Sequence, residues 1–585
     1  MHLFFQLMAT TAGLVNLADV SFNELMSQSG IQFVIPTWQR LYSWEDKQWE
    51  DLWDDLMNMY DRLQQGQTIE HFLGPIVVKT TEERVGQMSK RILIDGQQRL
   101  TTLTVLCALL RTIANGFKDN QLGDEIADSF IFNRYAKNPA DRLKLSPTQA
   151  DMKAFKIITD GQQLDQLWST GSQLARAWDF FVDKLKVDGK KLTVASLLNC
   201  IKRLRIVTIN LSPTDDPNRI FETLNSRGKE LGQADLIRNY FMMAVKNDAD
   251  AASLYDNLWF PMQERLGHDN DERIQNLEEF FRQQAIMTNR SFIKESDVYE
   301  KLKTRLRFVD EKEKVRELKT ISEDSKLYER LLFPEREPNR EISSRLARIN
   351  RLEVGVSFPF LLKAYRLYAS DSQKLSVKDF ISILDAIESF AIRRLFHNAP
   401  THSLNRFFAS LCGLDDDALS KQLRRTFASK QNWEAQYCPS DSEFEEDIAA
   451  FQIYKESSDR CRFILETLEE RLAHPEPVEL KGLSIEHVMP ETLSEDWQHY
   501  LGSDWENIYT NHVNTLPNLT LIAPAKNSSI GNKSFDEKKA KWYNKSNVSL
   551  TKEITRDYSD WREVDMVKRG KRLAKLAVEI WPRPE

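Results

Sequence analysis

Cysteine is scarce in this chain of 585 residues, and the five present, Cys107, Cys200, Cys412, Cys438 and Cys461, are scattered. None forms a Cys-x-x-Cys pair, so neither a zinc knuckle nor a disulfide framework is indicated, and a reducing cytoplasm fits. No apolar run reaches about 18 residues, so no membrane-spanning helix and no membrane partner are expected. Met1 to Val15 is mildly apolar but lacks a basic start and a clear cleavage site, so no signal peptide is expected. There is no repeat of about 20–50 residues and no low-complexity tract, which excludes solenoids and arrays. A Gly-x4-Gly-Lys-Ser/Thr loop is also missing, which excludes a Walker A site. Positive charge is not in excess either: Lys plus Arg number 80 against 87 Asp plus Glu, a net charge of −7. Such a chain does not coat nucleic acid indiscriminately.

What is present describes an ordinary soluble protein, with 41% hydrophobic and 29% charged residues. The length implies about two to four domains. The charge is uneven: Lys526 to Lys575 holds 14 Lys/Arg and 7 Asp/Glu, a local excess suited to phosphates.

The most informative stretch is Ile92-Leu-Ile-Asp-Gly-Gln-Gln-Arg-Leu-Thr-Thr-Leu103. Its aliphatic start reads as a buried strand, Asp95-Gly96 as a sharp turn, and Gln98 to about Ala114 as a helix. A glycine turn feeding a helix N-terminus collects free backbone N–H groups at one spot, which suits an anion. Asp95, Gly96, Gln97, Gln98 and Arg99 surround that spot with a carboxylate, two amides and a guanidinium, a mix that suits a nucleotide. Arg99 grips phosphate, and Asp95 holds Mg²⁺ or positions the attacking water. Gln39 and Arg40 follow a strand-like Phe33-Val-Ile35. A helix from Pro217 to Gly228 carries Phe221, Leu224 and Asn225, with Arg227 and Lys229 at its end. These two groups are expected to converge on the same nucleotide.

Elsewhere, Trp49, Leu52, Trp53 and Leu56 form one helical stripe behind a capping box at Ser43 and Asp46. Gly74–Thr80 and Arg91–Ile94 read as a strand hairpin, and Leu204–Leu211 as a further strand. From about 246 the pattern is helical, with Leu277, Phe280 and Phe281 on one face and Phe380, Ile383, Leu384, Ile387 and Phe390 on another.

Ile35-Pro-Thr-Trp-Gln-Arg-Leu-Tyr-Ser-Trp44, the Asp95–Arg99 motif, Phe221–Leu231 and Asp235-Leu-Ile-Arg-Asn239 occur in an order that closely resembles the DUF262 (GmrS-like) domain. Ser484-Ile-Glu-His-Val-Met-Pro490, Asn518-Leu-Thr-Leu-Ile522 and Asn527 to Lys538 look like DUF1524 (GmrD-like), the half that carries an HNH, or His-Me finger, nuclease. Together they resemble the GmrSD-like type IV restriction endonucleases, and are similar to phage-defence enzymes of the BrxU type. The implied organisation is α+β and multidomain. A ParB/sulfiredoxin-like nucleotide domain occupies 10–245, an all-α linker region 246–439, and the nuclease domain 440–585.

The resemblance implies an NTP cofactor (GTP or ATP) bound and hydrolysed at the first site. At the second it implies a single Mg²⁺ or Mn²⁺, with His487 as the base that deprotonates water. Glu486 and Asn527 are the expected metal ligands, and Asn518 is expected to orient the His487 ring. This chain departs from the family pattern in having Pro517 before Asn518 and Glu486 before His487. Lys538, Lys539, Lys541 and Lys545 are expected to face out and hold phosphates, while Phe535, Trp542 and Tyr543 pack inward. The implied activity is restriction of modified phage double-stranded DNA in the cytoplasm, with a homodimer left open. Two alternatives stand beside it: a nickase of the same architecture sensing phosphorothioate or another mark, and a nucleotide-controlled DNA-binding regulator with an inactive nuclease.

Overall fold

The computed structural model describes residues 16–67, 69–80, 88–188, 192–211, 232–245, 248–370, 374–429, 434–472, 478–524 and 529–584. The expected helix from Pro217 to Gly228, with Asn225, Arg227 and Lys229, and the expected ligand Asn527 lie outside the described residues. The chain divides into two compact units, Met1–Pro261 with Leu302–Leu318, and Met262–Lys301 with Lys319–Glu585.

The first unit is built on a mixed sheet of six strands: β1 (Asn16–Ser21), β2 (Ile31–Val34), β3 (His71–Thr80), β4 (Ser89–Asp95), β5 (Leu145–Ser146) and β6 (Leu204–Leu211). Their order is β1-β6-β3-β4-β2-β5. β3 and β4 pair antiparallel, as expected. β3 also pairs parallel to β6, and β4 parallel to β2. The central strands are aliphatic because both faces are covered: Ile76, Val77, Val78, Leu93 and Ile94 are all buried. Helix α1 (Asp46–Gln64) buries the expected stripe of Trp49, Leu52, Trp53 and Leu56. Its capping box differs from the expected one and is made by Glu45 and Gln48. Ser43 does not cap α1; its backbone N–H instead donates to Gln98 Oε1 at 2.8 Å. Helix α2 (Gln97–Gly116) is buried along most of its length, and helix α3 (Gln233–Met243) carries the Asp235–Asn239 motif.

The second unit is mainly helical. Leu277, Phe280 and Phe281 are buried on the helix Asn270–Asn289, and Phe380 to Phe390 on α4 (Val377–Phe396). Then follow α5 (Asp441–Ala450), α6 (Ser458–Arg471), an antiparallel pair β7 (Ser484–His487) and β8 (Leu519–Ile522), and helices α7 (Phe535–Lys541), α8 (Ser549–Asp557) and α9 (Glu563–Ile580). One apolar cluster joins α4, α5, α6, β8 and α9. A second joins Val488, Met489, Phe535, Tyr543 and Trp561 beside the strand pair.

Candidate functional site

In the first unit the expected turn is a sharp one. Gly96 has φ +91° and is the N-cap of α2, a backbone state open to glycine. A Cβ at Gly96 would also lie 2.5 Å from Ile76 Cγ2, so α2 approaches β3 through a gap only glycine leaves. The two glutamines that follow hold the neighbouring loop. Gln98 accepts from Ser43 N and donates to Leu41 O at 3.1 Å, and Gln97 donates to Arg40 O at 3.3 Å. Gln39 donates to Ile94 O at 3.1 Å and is buried. Asp151 anchors the far side of the loop by accepting from Tyr42 N at 2.9 Å. Gln39, Gln97 and Gln98 thus act through the backbone of residues 40–43 and 94, where the sequence had suggested direct phosphate contacts.

Among the described residues, the charges at this site belong to Arg40, Asp95, Arg99, Asp235 and Arg238. Arg99 donates to Pro75 O and lies against Gly74, whose φ is +117°. Arg238 pairs with Asp235 at 2.7 Å, one helical turn away on α3. Burial lowers the Arg40 pKa, Asp235 and Asp95 raise it, and Arg238 and Arg99 lower it further. Among the described residues, three guanidinium groups meet two carboxylates there. Arg238 Nε, Asn239 Oδ1 and Gln97 Oε1 are buried without a hydrogen-bond partner. Asp235, Arg238 and Asn239 were visible in the sequence only as a motif without a role. Their signal was the Asp-x-x-Arg spacing, which places both charges on one helix face.

In the second unit His487 ends β7 and is 7% exposed. Its ring packs edge-on against Tyr454, with centroids 4.5 Å apart. Nδ1 lies 3.8 Å from Glu491 Oε2, and Nε2 is buried with no partner among the described residues. Burial pushes its pKa down to about 4; a side-chain hydrogen bond with Asn514 acts in the other direction. The imidazole is therefore neutral at neutral pH, with one ring nitrogen uncommitted.

Asn518 does not orient this ring. Its Oδ1 accepts from Met489 N at 2.8 Å and Trp561 Nε1 at 3.0 Å, and its Nδ2 donates to Met489 O and Val513 O, both at 2.9 Å. Two of these four bonds brace the chain leaving β7 at Met489, and the other two tie it to Val513 and Trp561. The side chain that opposes the burial-driven fall of the ring's pKa is Asn514, four residues earlier. Glu486 and His487 are adjacent on a strand, so their side chains leave opposite faces. Glu486 is buried and accepts from Lys538 Nζ at 2.8 Å and Tyr543 OH at 2.7 Å. Burial raises its pKa, opposed by Lys538 and Tyr543.

Two expectations are corrected here. Lys538 faces inward at 1% exposure, also donating to His487 O at 2.7 Å, because it shares the inner face of α7 with Phe535. Lys539 donates to Tyr558 O at 2.8 Å, Lys541 pairs with Glu537, and Lys545 is exposed. Glu486, expected as a metal ligand, is turned away from the His487 ring and charge-paired with Lys538. Among the described residues no group of three or more His, Cys, Asp or Glu could hold a metal ion. Asn527, the other expected ligand, lies outside the described residues.

Residues 22–242 match the family of the GmrSD restriction endonuclease N-terminal domain, and residues 438–576 that of the GmrSD C-terminal domain. No curated protein matches the chain. With both domains present in this order, the chain belongs to the GmrSD-type restriction endonucleases.

Proposed function

We infer that this restriction endonuclease is a type IV enzyme that uses an NTP and cuts modified foreign double-stranded DNA such as that of phage. In this reading the C-terminal unit carries HNH chemistry and the N-terminal unit a ParB/sulfiredoxin-like nucleotide site. The observation that carries it is His487, a buried neutral imidazole whose Nε2 has no partner among the described residues, at the end of a strand pair followed by a helix. A neutral ring nitrogen accepts a proton from an attacking water. Asn518 fixes the chain just after His487 through Met489, so the strand end that carries the base is set before DNA arrives. In the N-terminal unit, Arg40, Arg99 and Arg238 exceed the charge of Asp95 and Asp235 and grip phosphate oxygens bidentately. Asp95, at the turn, is placed to orient the water that attacks a terminal phosphate. Mg²⁺ or Mn²⁺ enters the proposal as a requirement tested by chelation.

The test is cleavage of modified and unmodified phage DNA and plasmid, with and without GTP or ATP, with and without EDTA. His487→Ala should abolish cutting and leave NTP hydrolysis nearly intact. Arg99→Ala should abolish hydrolysis. If no duplex is cut under any combination, the nuclease reading fails. Equal loss of both activities in a folded His487→Ala variant would mean one composite site.

A further inference from the structure

The lysines expected to hold DNA are mostly committed to the protein itself, and the structure offers another set. Between Asp565 and Glu579, helix α9 carries Lys568, Arg569, Lys571, Arg572 and Lys575 and no carboxylate. Two of these five cations are engaged internally. Arg569 is fully buried and donates to Pro517 O at 2.6 Å and Leu519 O at 2.8 Å. Arg572 makes a two-pronged pair with Glu553. Lys568, Lys571 and Lys575 are exposed, and among the described residues none of the three pairs with a carboxylate. They recur at i, i+3 and i+7, which puts them on one face. That face borders an open groove of about 460 Å³, which Glu579 also lines. Asp557, which interacts electrostatically with Lys568, is paired with Arg556 at 2.7 Å.

We propose that this outer face of α9 is the track on which the phosphate backbone of duplex DNA lies, an assignment that rests on the DNA-cutting reading above. Seven residues of helix rise about 10 Å. That length spans about three phosphates of one strand, at about 3.4 Å of axis rise each. Three unpaired cations along such a line are complementary to that charge, and on a chain of net charge −7 they form a local exception. The face is also tied to the candidate base. Arg569, on the inner side of the same helix, grips the carbonyls on either side of Asn518, and Asn518 holds Met489 just after His487. A backbone seated on the lysines is thereby registered against the strand that presents His487.

The test uses the full chain with Lys568→Gln, Lys571→Gln and Lys575→Gln combined, and reads duplex binding by fluorescence anisotropy across a salt series. The log–log slope should fall by about 2 to 3, since each phosphate contact contributes roughly 0.9. Affinity at moderate salt should drop at least about tenfold, with NTP hydrolysis and melting temperature unchanged. Lys541→Gln with Lys545→Gln should leave the slope where it was. If the unsubstituted protein binds duplex with a steep slope and the triple variant keeps that slope, the track is elsewhere and the proposal is overturned. If duplex RNA displaces the probe at lower concentration than duplex DNA, the face serves RNA and the proposal is likewise overturned. If the unsubstituted protein neither binds nor cuts any duplex, the DNA-cutting reading itself fails.

Discussion

Lys538 Nζ lies 2.8 Å from Glu486 Oε1, and both side chains are almost wholly withdrawn from water. A cation and an anion buried together hold each other in place, and either one alone is costly.

Removing one member should therefore unfold the C-terminal unit more easily. Lys538→Met alone is expected to cost about 3–5 kcal/mol, read by denaturant melts, because Glu486 is left buried and unpaired. The double variant Lys538→Met with Glu486→Leu should recover much of that loss. A Lys538→Met protein of unchanged stability but weakened DNA binding would restore the outward-facing role.

The acid side of the stability curve should depend on His487. Its folded pKa is about 4 against 6.5 for the free side chain, so the unfolded chain takes up the proton first as pH falls. The contribution is complete above about pH 6.5 and is lost between there and about pH 4, up to about 3 kcal/mol. His487→Gln should flatten that stretch in pH-dependent melts. Cleavage limited by this base should keep its acid limb below about pH 5. A limb near pH 6.5 would mean a solvated histidine.

The two asparagines should separate by phenotype. Asn518→Ala removes four hydrogen bonds around Met489, Val513 and Trp561, and should lower stability by about 2–4 kcal/mol. Asn514→Ala should leave the melting temperature nearly unchanged and reduce the cleavage rate, with the acid limb shifted further down. Identical behaviour of the two variants would contradict the division of labour between them.

In the first unit, Gly74→Ala probes Arg99 without touching it. The added Cβ would sit 3.2 Å from Arg99 Cζ at a φ of +117°. The guanidinium should shift from Pro75 O, weakening NTP binding at least about tenfold at a stability cost of about 1–3 kcal/mol. Titration calorimetry with GTP and ATP checks it, and unchanged affinity would remove Arg99 from the nucleotide site. Gly96→Ala, aimed at Ile76 Cγ2 from 2.5 Å, should be the more damaging of the two.

Much of this was legible from local pattern. The aliphatic run before Asp95, the glycine and the periodic helix after it are near neighbours in sequence, so strand, turn and helix could be read directly. The position of His487 at a strand end was readable for the same reason. What escaped were side chains whose direction depends on distant partners. Lys538 falls at i+3 from Phe535, inside an apolar stripe, and that spacing was the available sign that it points inward. The exchange of roles between Asn514 and Asn518 carried no such sign, because it is decided by Met489 and Trp561, far along the chain. Gln97 and Gln98 look like ligand groups by chemistry. Only the path of residues 40–43 shows that the Gln98 amide and the Gln97 Nε2 are occupied by backbone.

The buried guanidinium of Arg569 also bears on the order of assembly. Pro517 and Leu519 obtain their charged partner from a helix synthesised well after His487. Domains fold as their residues emerge during synthesis. A nascent chain that already displays the histidine therefore has no clamp on the neighbouring strand, and the strand pair stays unbraced on that side until α9 has been made.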